Sequence, residues 1–362
     1  MKENKGITLI ALIITIILLL ILVGVSINLA IKGNLFGSAE KAVNGTNEKV
    51  AQQQGRVDEL MGKLNQIEGK VDKDNNTIMI TKINDGISYI ETAEGAMSET
   101  HSVLQRYYKV VEAICNNYSE AHKAQIQPEL QSLLQYIDSI SNETIFNDEK
   151  LLDGSFNKSV GINELTLQID NLSSSGLGLD ITAIDTNLDS TEAARQYLET
   201  ITEAIGKVSK NRSKSGAIHN ALEALSDYYT EENNIINSST INMDKKIAKA
   251  GLNSIKGMLE SNKTHCEHSI LETFDTDDKQ SFMAQMDALL IAIDHIANNA
   301  DYNGQKLLDG TFSNISRINT TTLGGGTKLS TDVLTTEVAE SAKTQYQNAI
   351  DMVEREIAKL GV

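Results

Sequence analysis

Residues 84–106 read NDGISYIETAEGAMSETHSVLQR and lie within a pronounced apolar stripe. Apolar side chains recur in steps of three and four on both sides of this segment, which is the spacing of one helix face. Glu94 and His101 are polar members of the same stripe. The apolar members are Ile83, Ile87, Ile90, Met97, Leu104, Tyr108, Val111 and Cys115. We therefore predict a long helix that begins near Ile78 and buries this face.

Three further elements are predicted after this helix. Pro128 suits the first turn of a second helix, which continues through residues 130–141. Residues 164–169, ELTLQI, alternate apolar and polar side chains as a strand does, and they predict a small β element of two or three strands. Ser190 is a candidate N-cap for a long helix that ends near Ser239.

The chain contains an internal repeat. Residues 131–156, QSLLQYIDSISNETIFNDEKLLDGSF, align without gaps with residues 287–312, DALLIAIDHIANNADYNGQKLLDGTF, and half of the positions are identical. The two segments are 156 residues apart (287 − 131). Identity over such a length indicates a duplicated structural unit rather than shared helical composition. The second copy ends early, at REIAKLGV.

The beginning of the chain is strongly apolar. Residues 7–27, ITLIALIITIILLLILVGVSI, contain no charge and are long enough to cross a hydrocarbon core of about 30 Å as a helix. Lys2 and Lys5 precede this run and Lys32 follows it, so the positive-inside rule favours a cytoplasmic N-terminus. We expect a cytoplasmic leader at 1–6 and one transmembrane helix at 7–31 that contacts membrane lipid through residues 7–27, with the remaining chain outside the cell.

A heptad pattern follows in residues 32–77, which we interpret as a helical stalk and linker. Its seam consists of Val43, Val50, Val57, Leu64 and Val71, each seven residues after the previous one. Such a seam is typical of a helix that pairs with another helix, so it predicts self-association as a coiled coil. Residues 72–77, DKDNNT, interrupt the pattern and predict a hinge.

The composition excludes several function classes. A formal charge of −17 disfavours nucleic-acid binding, and one proline, no tryptophan and 4% aromatic residues suit long helices better than compact cores. Cys115 and Cys266 permit one disulfide, although burial of Cys115 as a free thiol is the simpler expectation. His265, Cys266 and His268 form the one metal-like cluster, without a further ligand. We expect no enzymatic activity, no cofactor, no bound metal and no small-molecule substrate.

Three segments resemble bacterial flagellin. Residues 84–106 resemble its N-terminal conserved helix, residues 124–154, AQIQPELQSLLQYIDSISNETIFNDEKLLDG, resemble the next helix and turn, and residues 205–225, IGKVSKNRSKSGAIHNALEAL, resemble the C-terminal conserved helix. The resemblance implies a mainly α fold, in which long antiparallel helices form a bundle with a small β-hairpin. It covers a first module at 78–248 and a truncated second module at 249–362.

The first 27 residues, MKENKGITLIALIITIILLLILVGVSI, resemble the N-terminus of type IV pilins. That resemblance implies cleavage by a prepilin-type peptidase between Gly6 and Ile7. Pilins usually carry glutamate five residues into the mature chain, and Ala11 stands there in this sequence.

The flagellin resemblance also concerns recognition. Flagellin is bound by the Toll-like receptor of animal innate immunity through its first conserved helices. By motif position, Gln105, Arg106 and Glu129 correspond to part of that surface. The alternative is that these side chains are ordinary solvated groups on helix surfaces.

The sequence leads to one preferred function and two alternatives. We expect a structural protein of the bacterial cell surface, anchored by one membrane span, whose flagellin-like modules associate with copies of the chain or with flagellin-like subunits at the surface or in released filaments. The first alternative is an adhesin or binding protein that presents a flagellin-like face. The second is a subunit of a motility filament.

Overall fold

The computed structural model describes residues 39–116, 119–180, 182, 188–238, 241–271 and 273–362, without the side chains of 39–53, 57–58 and 61–71. The predicted leader at 1–6, the predicted transmembrane segment at 7–31 and the Gly6–Ile7 junction lie outside the described residues. Within these ranges, none of the helices combines the length and the hydropathy that a bilayer span requires. The described residues divide between Gln66 and Ile67 into two units.

The fold is mainly helical, with three small antiparallel strand pairs in the described residues. The helices are α1 (Ala39–Asn116), α2 (Glu120–Glu143), α3 (Thr191–Asn237), α4 (Met243–Ile270), α5 (Thr276–Asn299), α6 (Thr320–Leu323) and α7 (Thr336–Leu360). The strands are β1 (Ile145–Phe146), β2 (Glu149–Lys150), β3 (Asn157–Ser159), β4 (Thr166–Gln168), β5 (Asp301–Tyr302) and β6 (Gln305–Lys306). The pairs are β1 with β2, β3 with β4, and β5 with β6.

Several local predictions are confirmed. The stripe around residues 84–106 lies in α1, where Ile83, Ile90, Met97 and Leu104 are fully buried. Ser190 is the N-cap of α3, because its hydroxyl accepts a hydrogen bond from the Ala193 N–H at 3.2 Å. The alternating segment 164–169 contains β4, with Leu167 facing the core.

Local predictions were wrong in two places. The expected hinge at 72–77 and the helix start expected near Ile78 are both absent, since α1 begins at Ala39 and continues through these positions, where Thr77 donates to the Lys73 carbonyl at 2.8 Å. Polar residues without glycine or proline are compatible with a helix when neighbouring turns already form one. Pro128 lies inside α2 rather than in its first turn, because Ser119 caps the helix nine residues earlier and accepts from the His122 N–H.

The internal repeat is also a structural repeat. Adding the offset of 156 to the bounds of α2 gives the bounds of α5, and the same shift carries β1–β2 onto β5–β6. Both hairpins turn on two residues with positive φ, Asn147–Asp148 and Asn303–Gly304. This is the turn type that two-residue hairpins favour, since its twist matches that of the strands.

The two copies differ after their hairpins. The Asp138 carboxylate accepts hydrogen bonds from the backbone N–H and the hydroxyl of Ser174, which lies 36 residues later in the chain. The repeat-related Asp294 accepts the same two hydrogen bonds from Thr320, which lies only 26 residues later. The second copy therefore has a loop ten residues shorter, and its described residues contain no counterpart of β3–β4. Its returning helix, α7, has 25 residues, whereas α3 has 47.

The sequence left open how the two modules are arranged, and the structure shows that they pack against each other. The core is continuous across both modules, and α3 of the first packs along α5 and α4 of the second. The Tyr229 hydroxyl lies 3.0 Å from Nε2 of His295, and the hydroxyls of Ser213 and Ser281 are in contact. The second half of α3 therefore belongs to both modules.

Candidate recognition and assembly surfaces

The predicted recognition residues lie where α1 and α2 run antiparallel. Nε and Nη2 of Arg106 donate to Oε1 of Glu129 at 2.9 and 2.6 Å. The two side chains remain 60% and 40% exposed, so the ion pair is accessible and contributes at most about 1 kcal/mol to stability. Gln105 is exposed next to this pair, and its Nε2 lies 2.9 Å from Nε2 of His101.

A second contact on the same two helices was not predicted. The Tyr136 hydroxyl donates to the Glu99 carboxylate, two helical turns from the Arg106–Glu129 pair. This carboxylate raises the pKa of Tyr136, and the ring is 47% exposed. The sequence spacing is consistent with this contact. Residue 99 lies seven positions before residue 106, and residue 136 lies seven positions after residue 129, so both members are displaced by two turns along antiparallel helices. We name Glu99, Arg106, Glu129 and Tyr136 the α1–α2 ladder.

The second module does not repeat this surface. The residues 156 positions after Gln105, Arg106 and Glu129 are Ser261, Asn262 and Gln285. Asn262 is fully buried, and its Nδ2 lies 3.3 Å from the Met286 carbonyl and 3.4 Å from the Tyr346 hydroxyl. Among the described residues, the α1–α2 ladder therefore occurs in the first module and is not repeated in the second.

The predicted self-association seam lies in α1. Val43, Val50, Val57, Leu64 and Val71 all fall between Ala39 and Asn116, so each occupies a helical position. Their side chains lie outside the described part of the chain, and their role in association stays a prediction. Leu60, a described apolar residue at the companion heptad position, is 52% exposed.

The histidine and cysteine residues of the second module pack as structural groups. His265 stacks on Phe282 with ring centroids 5.4 Å apart, and His268 stacks on Phe274 at 5.6 Å. Cys266 is buried, which raises the pKa of its thiol to about 12, and both Cys115 and Cys266 are free thiols. The described residues contain no group of three or more His, Cys, Asp or Glu side chains placed to hold a metal ion.

Comparison with known proteins agrees with this architecture. The profile of the bacterial flagellin N-terminal helical region matches residues 70–157 and again residues 246–313. A flagellin of Bacillus subtilis is 34% identical over 176 residues, covering 38% of this chain and 58% of the relative. A flagellin of Clostridium tyrobutyricum is 29% identical over 283 residues, covering 76% and 66%.

The flagellar filament 33 kDa core protein of Treponema phagedenis is 30% identical over 162 residues, covering 40% of this chain and 57% of the relative. The chain thus spans between half and two thirds of the length of these relatives.

Long antiparallel helices, two-residue hairpins and a duplicated helix–hairpin unit define a mainly helical, bundle-type fold. Within that class, the two matched regions of this chain are similar to the N-terminal helical region of bacterial flagellin.

Proposed function

We propose that this chain is a structural, non-enzymatic subunit of an extracellular flagellin-type filament. The observation that carries the proposal is the repeated match to the flagellin helical region, in which the bounds of α2, β1 and β2 recur 156 residues later in α5, β5 and β6 and one core joins both copies. Flagellin relatives, including one whose name describes a filament core protein, support self-assembly as the common role.

Two surfaces are candidates for assembly, one polar and one that carries an apolar heptad pattern. The α1–α2 ladder presents charged and hydroxyl groups along two antiparallel helices, and the first part of α1 carries the heptad seam. A helix with an apolar seam and weak intrinsic propensity gains stability when a second helix covers the seam. We infer that copies of the chain associate through this part of α1.

Substituting Val50, Val57 and Leu64 together with lysine is expected to weaken association by at least about tenfold, because charges would enter the helix–helix contact. Analytical ultracentrifugation and negative-stain electron microscopy of the purified chain measure this directly. The unsubstituted chain should form concentration-dependent oligomers or filaments.

The matched control substitutes Gln52, Asn65 and Gln66 with lysine, which adds the same charge at heptad positions outside the seam. This control should assemble as the unsubstituted chain does. An unsubstituted chain that stays monomeric at high concentration would contradict the filament proposal. An equal loss of association in both triple variants would contradict only the role of the seam.

We also propose that residues 7–27 anchor the chain in the membrane before or during assembly. The support is the uncharged apolar run and its flanking lysines. Processing at Gly6–Ile7 would release such a chain from its leader and admit it to an extracellular filament.

Mass spectrometry of the mature N-terminus, in membrane and sheared extracellular fractions, tests this step. A chain that begins at Ile7 in the sheared fraction is the expected result. An intact Met1 confined to membranes would instead support a permanent surface anchor without filament formation.

A further inference from the structure

A buried acidic cluster lies where α1, the end of α3 and the β5–β6 hairpin meet. Glu232 of α3 is 3% exposed, and Tyr228, one turn earlier, is fully buried. Asn76 of α1 is 7% exposed and faces Glu232 together with Tyr228. Carboxylates are rarely buried to this degree without a cationic partner.

The hairpin contributes acidic and polar groups to the same place. The Asn303 N–H donates to the Asp72 carboxylate of α1 at 3.1 Å, and Asp301 pairs with Lys306 at 3.0 Å. Three buried polar atoms form no hydrogen bond that meets normal geometry: Nδ2 of Asn76, the Tyr228 hydroxyl and Oδ1 of Asn303. The cluster is therefore held by few directed bonds.

The charged and titratable groups around Glu232 come from every element packed there. Asp72 lies on α1, Tyr228 and Tyr229 lie on α3 itself, and the hairpin provides Asp301 and its partner Lys306. From α5, His295 is hydrogen-bonded to Tyr229, and Glu164, just before β4, lies 3.6 Å from Nδ1 of this histidine. Gly251 brings the α4 backbone close to the Tyr228 ring and adds no charge.

This cluster belongs to the second hairpin alone. In the first module, Ile145 occupies the position that Asp301 has in the second. Glu232 lies in the second half of α3, which has no counterpart in the shorter α7. The acidic contact is therefore a feature of the junction between modules and not of the repeated unit.

We propose that Glu232 is a proton-controlled latch, which holds the β5–β6 hairpin against α1 and α3 when its carboxyl is neutral and releases the hairpin when the carboxyl ionises. An ionised Glu232 would be a buried anion facing two further carboxylates, Asp72 and Asp301. Opening the hairpin admits water to all three, which relieves both the desolvation and the repulsion.

The pH window follows from the direction of the shift. Burial, followed by the nearby Asp301, raises the pKa of Glu232 from 4.5 to about 8, although Tyr228 and Asn76 act in the opposite direction. While the hairpin is closed, the Glu232 carboxyl therefore keeps its proton up to a higher pH than it does when the hairpin is open. Closure is strongest below about pH 4.5, weakens as pH rises to about 8 and then levels off.

Hydrogen–deuterium exchange of the full chain tests the latch at the amides of residues 301–306. After correction for the intrinsic exchange rate, protection should fall by up to about tenfold per pH unit between pH 5 and 7.5. Glu232→Gln should keep protection constant across this range. Glu231→Gln, which removes an exposed carboxylate one residue away, should behave as the unsubstituted chain does.

A flat profile in the unsubstituted chain, or an equal fall in the Glu232→Gln variant, would overturn the proposal. If Glu232→Gln does not fold, Asp301→Asn provides the test. Removing this neighbouring charge lowers the pKa of Glu232, so protection should level off at a lower pH. An unchanged profile in Asp301→Asn would count against the latch.

Discussion

Gly86→Ala is expected to destabilise the chain by about 1–3 kcal/mol, because it overpacks a backbone contact. A Cβ at position 86 would lie 2.7 Å from the backbone nitrogen of Gly161 and 3.1 Å from Cδ1 of Leu222. Neither position 86 nor position 161 has room for a side chain where α1, the turn after β3 and α3 meet.

The crowded turn cannot easily move away. Gly161 has φ +70°, a conformation that favours glycine, and a Cβ there would meet Cδ2 of Leu222 at 2.4 Å. Relief of the Gly86→Ala contact therefore requires a shift of the β3–β4 hairpin, whose inner residues Val160 and Leu165 are buried. Interiors packed to this density resist such shifts.

Thermal and urea unfolding, followed by circular dichroism, measure the effect of Gly86→Ala. Gly95→Ala is the matched control, since position 95 lies on the same helix and a Cβ there meets nothing within 4 Å. The control should stabilise the chain by up to about 1 kcal/mol through helix propensity. Equal stabilisation by both substitutions would show that α1 and the hairpin do not approach as described.

Ala288→Lys is expected to cost about 2–4 kcal/mol, because it places a charge in the interface between the modules. Ala288 of α5 is 5% exposed and lines a groove of about 320 Å³ that Ala217, Ile218 and Lys214 of α3 also line. Lys214 would repel the new ammonium group. The lysine side chain can extend partly towards water, so the expected loss in the free energy of unfolding is smaller than for a fully buried charge.

Ser132→Lys is the control that the internal repeat provides. Ser132 occupies on α2 the position that Ala288 occupies on α5, and it is exposed. Its substitution should change the free energy of unfolding by less than about 0.5 kcal/mol. Urea unfolding monitored by tyrosine fluorescence compares the two variants, and similar losses in both would contradict the assignment of α5 as the interface helix.

The comparison of α2 with α5 explains why only one of them packs against α3. At four repeat-related positions, α5 carries Ala284, Ala288, Ile291 and His295, whereas α2 carries Pro128, Ser132, Gln135 and Ser139. Small and apolar groups allow α3 to approach α5, whereas Ser132 and Gln135 on the corresponding face of α2 are polar and exposed. The second copy of the repeat therefore makes the contact with α3, and the first copy does not.

Much of the local structure was predictable. The buried stripe of α1, the N-cap at Ser190 and the alternating strand at 166–168 follow from side-chain spacing, which acts over a few residues. The two errors, at 72–77 and at Pro128, concern positions where surrounding helix overrides a local breaking signal. Arg106 and Glu129 were selected by motif position as predicted recognition residues, a role that stays a prediction, and their ion pair was not foreseen.

The sequence by itself determined the helical class, the duplication and its offset of 156 residues, because periodicity and identity are properties of the chain alone. Only the tertiary structure decided that α3 serves both modules and that Glu232, Asp72 and Asp301 converge. Such contacts join residues up to 231 positions apart, as between Asp72 and Asn303. They depend on which helix faces meet in space, and spacing along one helix carries no information about its partner.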